Sequence, residues 1–359
     1  EEVEEVDVSC NDGLDVAGVA CVVAALLRSA RVVRAGSRGL YQDAAWGRGQ
    51  GRGGGTTGLE EAAVQRGGAR VVTLDLAVRE AHVCPTAEVV EAVMEVVAPL
   101  APGLERLSLA GVQLSGPACG AALAKAVRSM RALRSLNARG CHLSDESLAE
   151  VVQALPPAME ELDVAGNAAG DEAGAALAEA AEPGGALAGV RVLALPVVDP
   201  GPAWAGRLAE ALLPRMLRGE VRLRGFRTAR GNARSCSPLH VALAYAGGEA
   251  VMGLLVELEE ARSLRRALAH ADGNGRLPVH VALERRTVDE VALRVVELTG
   301  EHHVEGFSHA DCTGDLPVHV ALQCQTESEH VARRAVELTA EHHPAAFAHA
   351  PSDGWLPVH

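Results

Sequence analysis

The stretch "LRSLNARGCHL", residues 133–143, decides the first half of the fold. Its apolar residues are spaced so that alternate positions face one side, which predicts a short strand followed by a turn. They are Leu133, Leu136, Ala138, Cys141 and Leu143. Residues 3–13, 104–114 and 159–169 fit the same pattern, and weaker copies begin at Val71, Val190 and Ala30. The starts at 71, 104, 133, 159 and 190 are 33, 29, 26 and 31 residues apart, which indicates repeated units.

Helical segments lie between these strands. "SDESLAEVVQAL" begins with Ser144 as an N-cap, and acidic residues fill its first turn, where the helix dipole favours negative charge. "TAEVVEAVMEVVAPL" begins with Thr86 in the same role. Each unit is therefore predicted to be a strand followed by a helix.

The motif L-x-x-L-x-L-x-x-N/C-x-L, followed by a helix, resembles leucine-rich repeats of the long, ribonuclease-inhibitor-like subclass. The resemblance covers roughly residues 1–200 and implies an α/β horseshoe with its strands on the concave side. A Gly-rich stretch at 36–58, "GSRGLYQDAAWGRGQGRGGGTTG", interrupts it and has the composition of a flexible loop. We expect a domain over residues 1–206, with this insertion at about 36–68.

A different repeat occupies the last third of the chain. "LPVHVAL" occurs at 277–283 and returns at 316–322. The prolines are 40, 39 and 40 residues apart, and each has a histidine two positions later. The pairs are Pro238/His240, Pro278/His280, Pro317/His319 and Pro357/His359. Apolar residues of 288–296 follow a helical period, and "ADGNG" (271–275) and "ADCTG" (310–314) are turn signals. Each unit predicts two helices and a loop, with proline in the first helical turn.

These residues resemble ankyrin repeats, which combine a Thr-Pro-Leu-His-type motif with a preceding D-x-x-G turn. The resemblance covers residues 237–359, at a period of 39–40 residues instead of about 33, and the last copy looks truncated. Residues 207–236 are an Arg-rich junction or a degenerate repeat. The predicted fold class is an α/β leucine-rich-repeat solenoid (horseshoe) followed by an all-α ankyrin-like helical repeat stack.

Composition excludes several classes of protein. The net charge of −14 argues against nucleic acid as the main partner, because phosphate binding needs a basic surface. The eight cysteines contain no CxxC pair, which favours reduced thiols in the cytoplasm or the nucleus. The longest apolar run, at 17–27, is too short to span a bilayer. We predict a cytoplasmic, or nuclear, protein with no membrane span.

The best candidate site is the strand face that points away from the inward leucines. Because strand side chains alternate, the intervening residues face the concave surface that the resemblance implies, where a partner protein would bind. These residues are Glu5, Asp7, Asp75, Arg106, Ser108, Asn137, Arg139, Glu161 and Asp163. The rival interpretation, a merely solvated sheet face, stays equally open.

Other patterns favour structural interpretations. The recurring Pro and His residues are typical of a loop-holding motif, since histidines one repeat apart lie too far apart to share a metal with ~2 Å bonds. The pairs His302/His303 and His342/His343 lack a carboxylate or cysteine at ligand spacing in both copies. Gly49-x-Gly51-x-x-Gly54 has no helix directly after it, so a dinucleotide site is not predicted. The Arg-rich junction is a solvated linker or a docking spot for an acidic partner or anionic lipid.

No catalytic, cofactor-binding or metal-binding residues are predicted, because no nucleophile–base arrangement or carboxylate pair stands out. Repeat proteins expose extended surfaces, and function lies on those surfaces. We therefore expect a non-catalytic scaffold for protein–protein interaction. The alternative is the recognition or sensor portion of a larger signalling or enzymatic protein.

Overall fold

A computed structural model describes residues 3–7, 30–34, 73–75, 103–198, 202–226, 236–284, 287–323 and 329–350. The chain forms two compact units. Unit 1 comprises Glu1–Val197 and Val221–Leu223, and unit 2 comprises Val198–Glu220 and Arg224–His359.

A parallel sheet organises unit 1, and its strands follow each other in chain order. They are β1 (Val3–Asp7), β2 (Ala30–Arg34), β3 (Thr73–Asp75), β4 (Arg106–Ser108), β5 (Ser135–Asn137), β6 (Glu161–Asp163), β7 (Val192–Val198) and β8 (Arg222–Phe226). From β3 to β7 the register aligns one buried leucine per strand: Leu74, Leu107, Leu136, Leu162 and Leu193. The Arg222 N–H donates to the Arg191 carbonyl oxygen at 2.8 Å, which returns the chain to the sheet at β8.

Helices alternate with the strands in the described part of unit 1. They are α1 (Pro117–Ser129), α2 (Asp145–Gln153) and α3 (Asp171–Ala181). Ser144, the predicted N-cap of α2, accepts the Ser147 N–H with its hydroxyl oxygen at 3.3 Å. Parallel strands need such crossover connections, because a strand must return to the same end of the sheet before it pairs again.

Side chains in the turns after β5 and β6 bind the turn of the preceding copy. The Asn167 amide donates to the carbonyl oxygens of Ala138 and Val164 at 2.8 Å, and its oxygen accepts the Leu143 N–H at 3.0 Å. One copy earlier, the Cys141 thiol donates to the Leu109 carbonyl oxygen at 3.1 Å. Burial raises the pKa of this thiol to about 12, so it keeps the proton that it donates.

Helices make up most of unit 2. They are α4 (Ala203–Leu217), α5 (Pro238–Tyr245), α6 (Gly248–Glu260), α7 (Leu264–Leu268), α8 (Pro278–Ala282), α9 (Asp289–His302), α10 (Pro317–Gln323) and α11 (Glu329–His342), with 3₁₀ turns at Val304–Ser308 and Pro344–Ala348. A core of leucine, valine and alanine links these helices, and Phe307 is buried within it. Helices α5, α8 and α10 begin at proline, whose missing N–H would have no partner there in any case.

The predicted fold class, an α/β leucine-rich-repeat solenoid (horseshoe) followed by an all-α ankyrin-like helical repeat stack, is wrong. The structure has a parallel sheet with alternating helices, which is an α/β arrangement. A repeated strand–helix pattern arises in any parallel sheet covered by helices, because inward positions alternate along every strand. The sequence pattern therefore did not determine a horseshoe.

Strand β8 lies in the segment 207–236 that the sequence predicted to be an Arg-rich junction or a degenerate repeat. Its residues Arg224–Phe226 belong to unit 2, so that unit contains strand residues besides its helices. From Arg222 to Gly225 the residues alternate between exposed and half-buried positions, which is the two-residue period of a strand, and Phe226 at its end is buried. The recurring arginines of this segment gave no indication of a strand.

Candidate functional site

The predicted face residues of β3 to β6 lie in two rows across the sheet. One row runs through Asp75, Ser108, Asn137 and Asp163, which are register partners on adjacent strands. The other row contains Arg106 and Glu161, and Ser135 lies between them. Arg139 follows β5 and is exposed. Glu5 and Asp7 lie in β1, where the side chains fall outside the described residues. The structure brings the described candidates together, and their role in binding stays a prediction.

An open depression of about 230 Å³ lies where the strands of this face begin. Its lining consists of two residues from each of three neighbouring chain segments: Glu105 and Arg106, Arg134 and Ser135, and Glu160 and Glu161. Backbone N–H groups of Arg134 and Ser135 both donate to the Glu105 carbonyl oxygen, at 2.8 and 2.9 Å. The sheet backbone thus fixes the spacing of the charged side chains, and we call this site the strand-face depression.

Both carboxylates and guanidinium groups line the depression. The Arg134 guanidinium donates to a Glu160 carboxylate oxygen at 2.5 Å, and the Ser135 hydroxyl donates to Glu161 at 3.0 Å. The hydrogen bond from Arg134 holds the pKa of the Glu160 carboxyl below its usual value, and the positive charges of Arg191 and Arg106 act in the same direction. The depression therefore presents a carboxylate flanked by guanidinium groups, which suits a partner with complementary charges.

Sequence reasoning missed four of the six lining residues: Glu105, Arg134, Ser135 and Glu160. A signal for them was present, because the two residues before the inward leucine of each strand are polar in three copies: Glu105-Arg106, Arg134-Ser135 and Glu160-Glu161. Only one member of each pair alternates out of the sheet by the simple strand rule. The other member precedes the strand, and its position depends on how the chain enters the sheet.

Two predicted contact residues have a local structural task. The Asn137 side-chain oxygen accepts the Arg139 N–H at 3.2 Å, and Asp163 accepts the Ala165 N–H at 3.0 Å. Asparagine and aspartate commonly bind the backbone two residues ahead in this way and stabilise a turn. In these two copies, the short polar residue at the centre of the face stabilises the turn in which the strand ends.

The recurring histidines of unit 2 join successive copies of the repeat. Nε2 of His240 lies 2.8 Å from the Arg276 carbonyl oxygen, and Nε2 of His280 lies 3.3 Å from that of Asp315. Nε2 of His319 lies 3.1 Å from the His349 carbonyl oxygen. These three side chains are buried. Pro357 and His359 lie outside the described residues.

The remaining candidates from the sequence are the Gly-rich insertion, the arginines of the junction and the paired histidines. The Gly-rich insertion and Arg227, Arg230 and Arg234 lie outside the described residues. Arg218 donates to Glu220 at 2.6 Å, and Arg222 and Arg224 are exposed on β8. His343 faces the Val304 carbonyl oxygen at 2.9 Å. Across the described ranges, no group of three or more His, Cys, Asp and Glu residues is arranged to hold a metal ion.

Within the part of the chain that the structure describes, no helix is both long and apolar enough to cross a membrane. Neither a protein-family model nor a curated protein sequence matches this chain.

Proposed function

We propose that the protein is a non-catalytic scaffold that binds a partner protein on the strand-face depression and the polar rows around it. The observation that carries the proposal is the alignment of Arg106, Ser135 and Glu161 on three adjacent strands, with exposed or half-buried side chains. Such a surface offers charges at spacings that the sheet backbone holds rigid, so a partner need not order them on binding.

Charge at the depression supports a protein partner. Arg134 and Glu160 already pair with each other, whereas Arg106 is exposed beside them. Charged groups at the rim of an interface steer association and select a partner by matching its potential. The function operates in the cytoplasm or the nucleus, and the described cysteines Cys119, Cys141, Cys236 and Cys312, which are unbridged, agree with a reducing compartment.

The experiment reverses two charges in the depression, at Arg106 and Glu161, whose side chains do not stabilise the turns after the strands. The variant Arg106→Glu with Glu161→Lys changes the depression but leaves the net charge of the chain unaltered. Asn137 and Asp163 are left intact, because their side chains bind the backbone. The matched control, Arg128→Glu with Glu150→Lys, makes the same changes at exposed positions of α1 and α2.

Tagged wild type and both variants are used to capture partners from the native cell extract, and each captured protein is then purified for binary titration. We expect the depression variant to bind at least about tenfold more weakly, which is about 1.4 kcal/mol, and the helix control to bind like wild type. Equal dissociation constants for all three proteins would exclude the depression as the binding site.

A further inference from the structure

The histidines that join the copies of unit 2 use both ring nitrogens. Nδ1 of His280 accepts the Leu277 N–H at 3.1 Å, and Nδ1 of His319 accepts the Leu316 N–H at 3.0 Å. Their Nε2 atoms face carbonyl oxygens, which can only accept. Each ring is therefore the neutral tautomer with its proton on Nε2.

Protonation removes one of these two bonds. A backbone N–H has no lone pair, so an added proton on Nδ1 of His280 would point at the Leu277 N–H. The contact would change from a hydrogen bond to a repulsion between two donors. The ring would then have to leave its buried position to be solvated, and its bond to the Asp315 carbonyl oxygen would break.

The loop at 310–315, which His280 contacts at Asp315, is stabilised by hydrogen bonds of its own. The Asp311 carboxylate accepts the N–H groups of Thr313 and Asp315 at 2.8 and 2.9 Å, and Gly314 has a φ of 86°. The Cys312 N–H donates to the Asn274 carbonyl oxygen at 2.8 Å, which joins this loop to the preceding one. The loop at 310–315 is therefore folded in itself, so loss of the His280 contact leaves its internal hydrogen bonds in place.

A second histidine lies against each buried one. Ring centroids are 6.1 Å apart for His240 and His270, 6.3 Å for His280 and His309, and 6.0 Å for His319 and His349. His309 also binds the preceding loop, since its Nε2 lies 2.9 Å from the Gly275 carbonyl oxygen. The His309 ring therefore lies against His280 and joins its own segment to the loop at 271–276.

The charged groups around His280 are few. Its own loop contributes Arg276, which pairs with Glu284 at 2.6 Å, and the next loop contributes Asp311 and His309. The buried faces of α5 and α10 contribute His240 and His319. The buried residues of α9 carry no ionisable group, and Arg265 and Arg266 of α7 are exposed. Arg276 opposes a charge on His280, whereas Asp311 and the hydrogen bond to the Asp315 carbonyl oxygen favour one.

We propose that His280 is an acid-released clamp: at neutral pH its ring joins the backbone at Leu277 to the loop at 310–315 through the Asp315 carbonyl oxygen, and it frees that loop when it is protonated. The device rests on ring-nitrogen geometry that recurs in two consecutive copies. It is independent of partner binding in unit 1.

The direction of the pH effect follows from burial. Burial first, and the neighbouring Arg276 second, lower the pKa of His280 from 6.5 to about 4. The released form takes up a proton below pH 6.5, whereas the clamped form does so only near pH 4. The clamp is therefore fully stable above pH 6.5 and weakens as the pH falls toward 4. For one histidine, the equilibrium constant for opening rises about tenfold for each pH unit of this fall.

Hydrogen–deuterium exchange of the full chain tests the clamp, with each rate corrected for the intrinsic pH dependence of exchange. We expect protection of residues 310–319 to fall about tenfold per pH unit between about pH 6.5 and about pH 4.5, while α2 of unit 1 keeps its protection. Protection of 310–319 that does not change over this window would overturn the proposal.

The variant His280→Asn isolates the histidine, because the asparagine oxygen can still accept the Leu277 N–H but does not titrate in this range. We expect it to flatten the pH dependence at residues 310–319. The control is His142→Asn, at an exposed residue of unit 1 with a φ of 54°, which asparagine tolerates. An undiminished slope in His280→Asn contradicts the clamp.

If His280→Asn does not fold at neutral pH, the NMR chemical shifts of the histidine ring nitrogens in the wild-type protein decide the question. The clamp requires His280 to be protonated on Nε2 at neutral pH. A proton on Nδ1 instead, or titration near the ordinary histidine pKa without loss of protection at 310–319, would overturn it.

Discussion

The carboxylate of Asp145 accepts the backbone N–H of Gly170 at 2.7 Å, 25 residues away. The same side chain accepts the N–H groups of Ala173 and Glu172, at 2.9 and 3.2 Å. Asp145 lies in the first turn of α2, whereas Gly170 is the N-cap of α3 and has no side chain with which to cap. One repeat thus supplies the cap that the next repeat lacks.

Removal of this carboxylate is expected to destabilise unit 1. For Asp145→Ala we expect a loss of about 1–2 kcal/mol in the free energy of unfolding, because the first N–H groups of α3 lose their acceptor. Urea denaturation followed by circular dichroism measures the change. The matched control is Glu146→Ala, an exposed acid in the same turn of α2. Equal losses for the two variants would contradict the inter-repeat cap.

Helix α1 approaches α2 closely at Gly120. A Cβ atom at this position would lie 2.2 Å from the Cβ of Ser147, so Gly120→Ala forces the helices apart and should cost about 1–3 kcal/mol. Gly253→Ala in α6 is the control, because an added Cβ meets nothing within 4 Å there and alanine favours a helix by up to about 1 kcal/mol. Opposite signs in thermal denaturation are expected. A second change, Ser147→Gly, should restore part of the stability of Gly120→Ala, and no restoration would refute the steric explanation.

Asn167 is expected to contribute more to stability than Asn137. Replacement of Asn167 by alanine removes three hydrogen bonds to the turn, whereas Asn137→Ala removes the bond to the Arg139 N–H. At about 0.5–1.5 kcal/mol per bond, we expect roughly 2–4 kcal/mol against about 1 kcal/mol in urea denaturation. Asn167→Cys should lie between them, since Cys141 occupies the equivalent position and donates one bond. A ranking with Asn137→Ala as the more damaging change would refute this account.

The buried pair of Arg276 and Glu284 provides a test in unit 2. The guanidinium is 1% exposed and lies 2.6 Å from the Glu284 carboxylate, so Glu284→Ala leaves a buried cation without its counter-charge. We expect a loss of about 3–5 kcal/mol, measured by urea denaturation. The double variant Arg276→Met with Glu284→Ala should be more stable than the single one, because the buried guanidinium that lost its partner is removed as well.

The control for this pair is Glu329→Ala in the exposed pair with Arg333, which should cost less than about 1 kcal/mol. A double variant no more stable than Glu284→Ala would show that the loss comes from packing instead of charge.

The strand at Ser135–Asn137 and the start of α2 could be predicted from residues 133–145 alone. Leu136 alternates with polar neighbours, and Ser144 caps a helix from three residues before its bonding partner Ser147. Both features depend on residues close in the chain, where the geometry of the backbone is the same in every protein. The polar strand face could be predicted for the same reason, and so could the proline that begins α5, α8 and α10.

The contacts between these elements were decided by the tertiary structure. The sequence does not show that Arg134 pairs with Glu160, that Asp145 caps α3, or that His280 binds the Asp315 carbonyl oxygen, because each contact joins residues 25–35 apart. Loop length and strand register determine which atoms approach, and a one-residue shift in register would replace every such partner. Sequence alone therefore determined the local elements and their period. The architecture and the contacts between copies were decided by packing, since a repeated strand–helix pattern is compatible with more than one parallel arrangement.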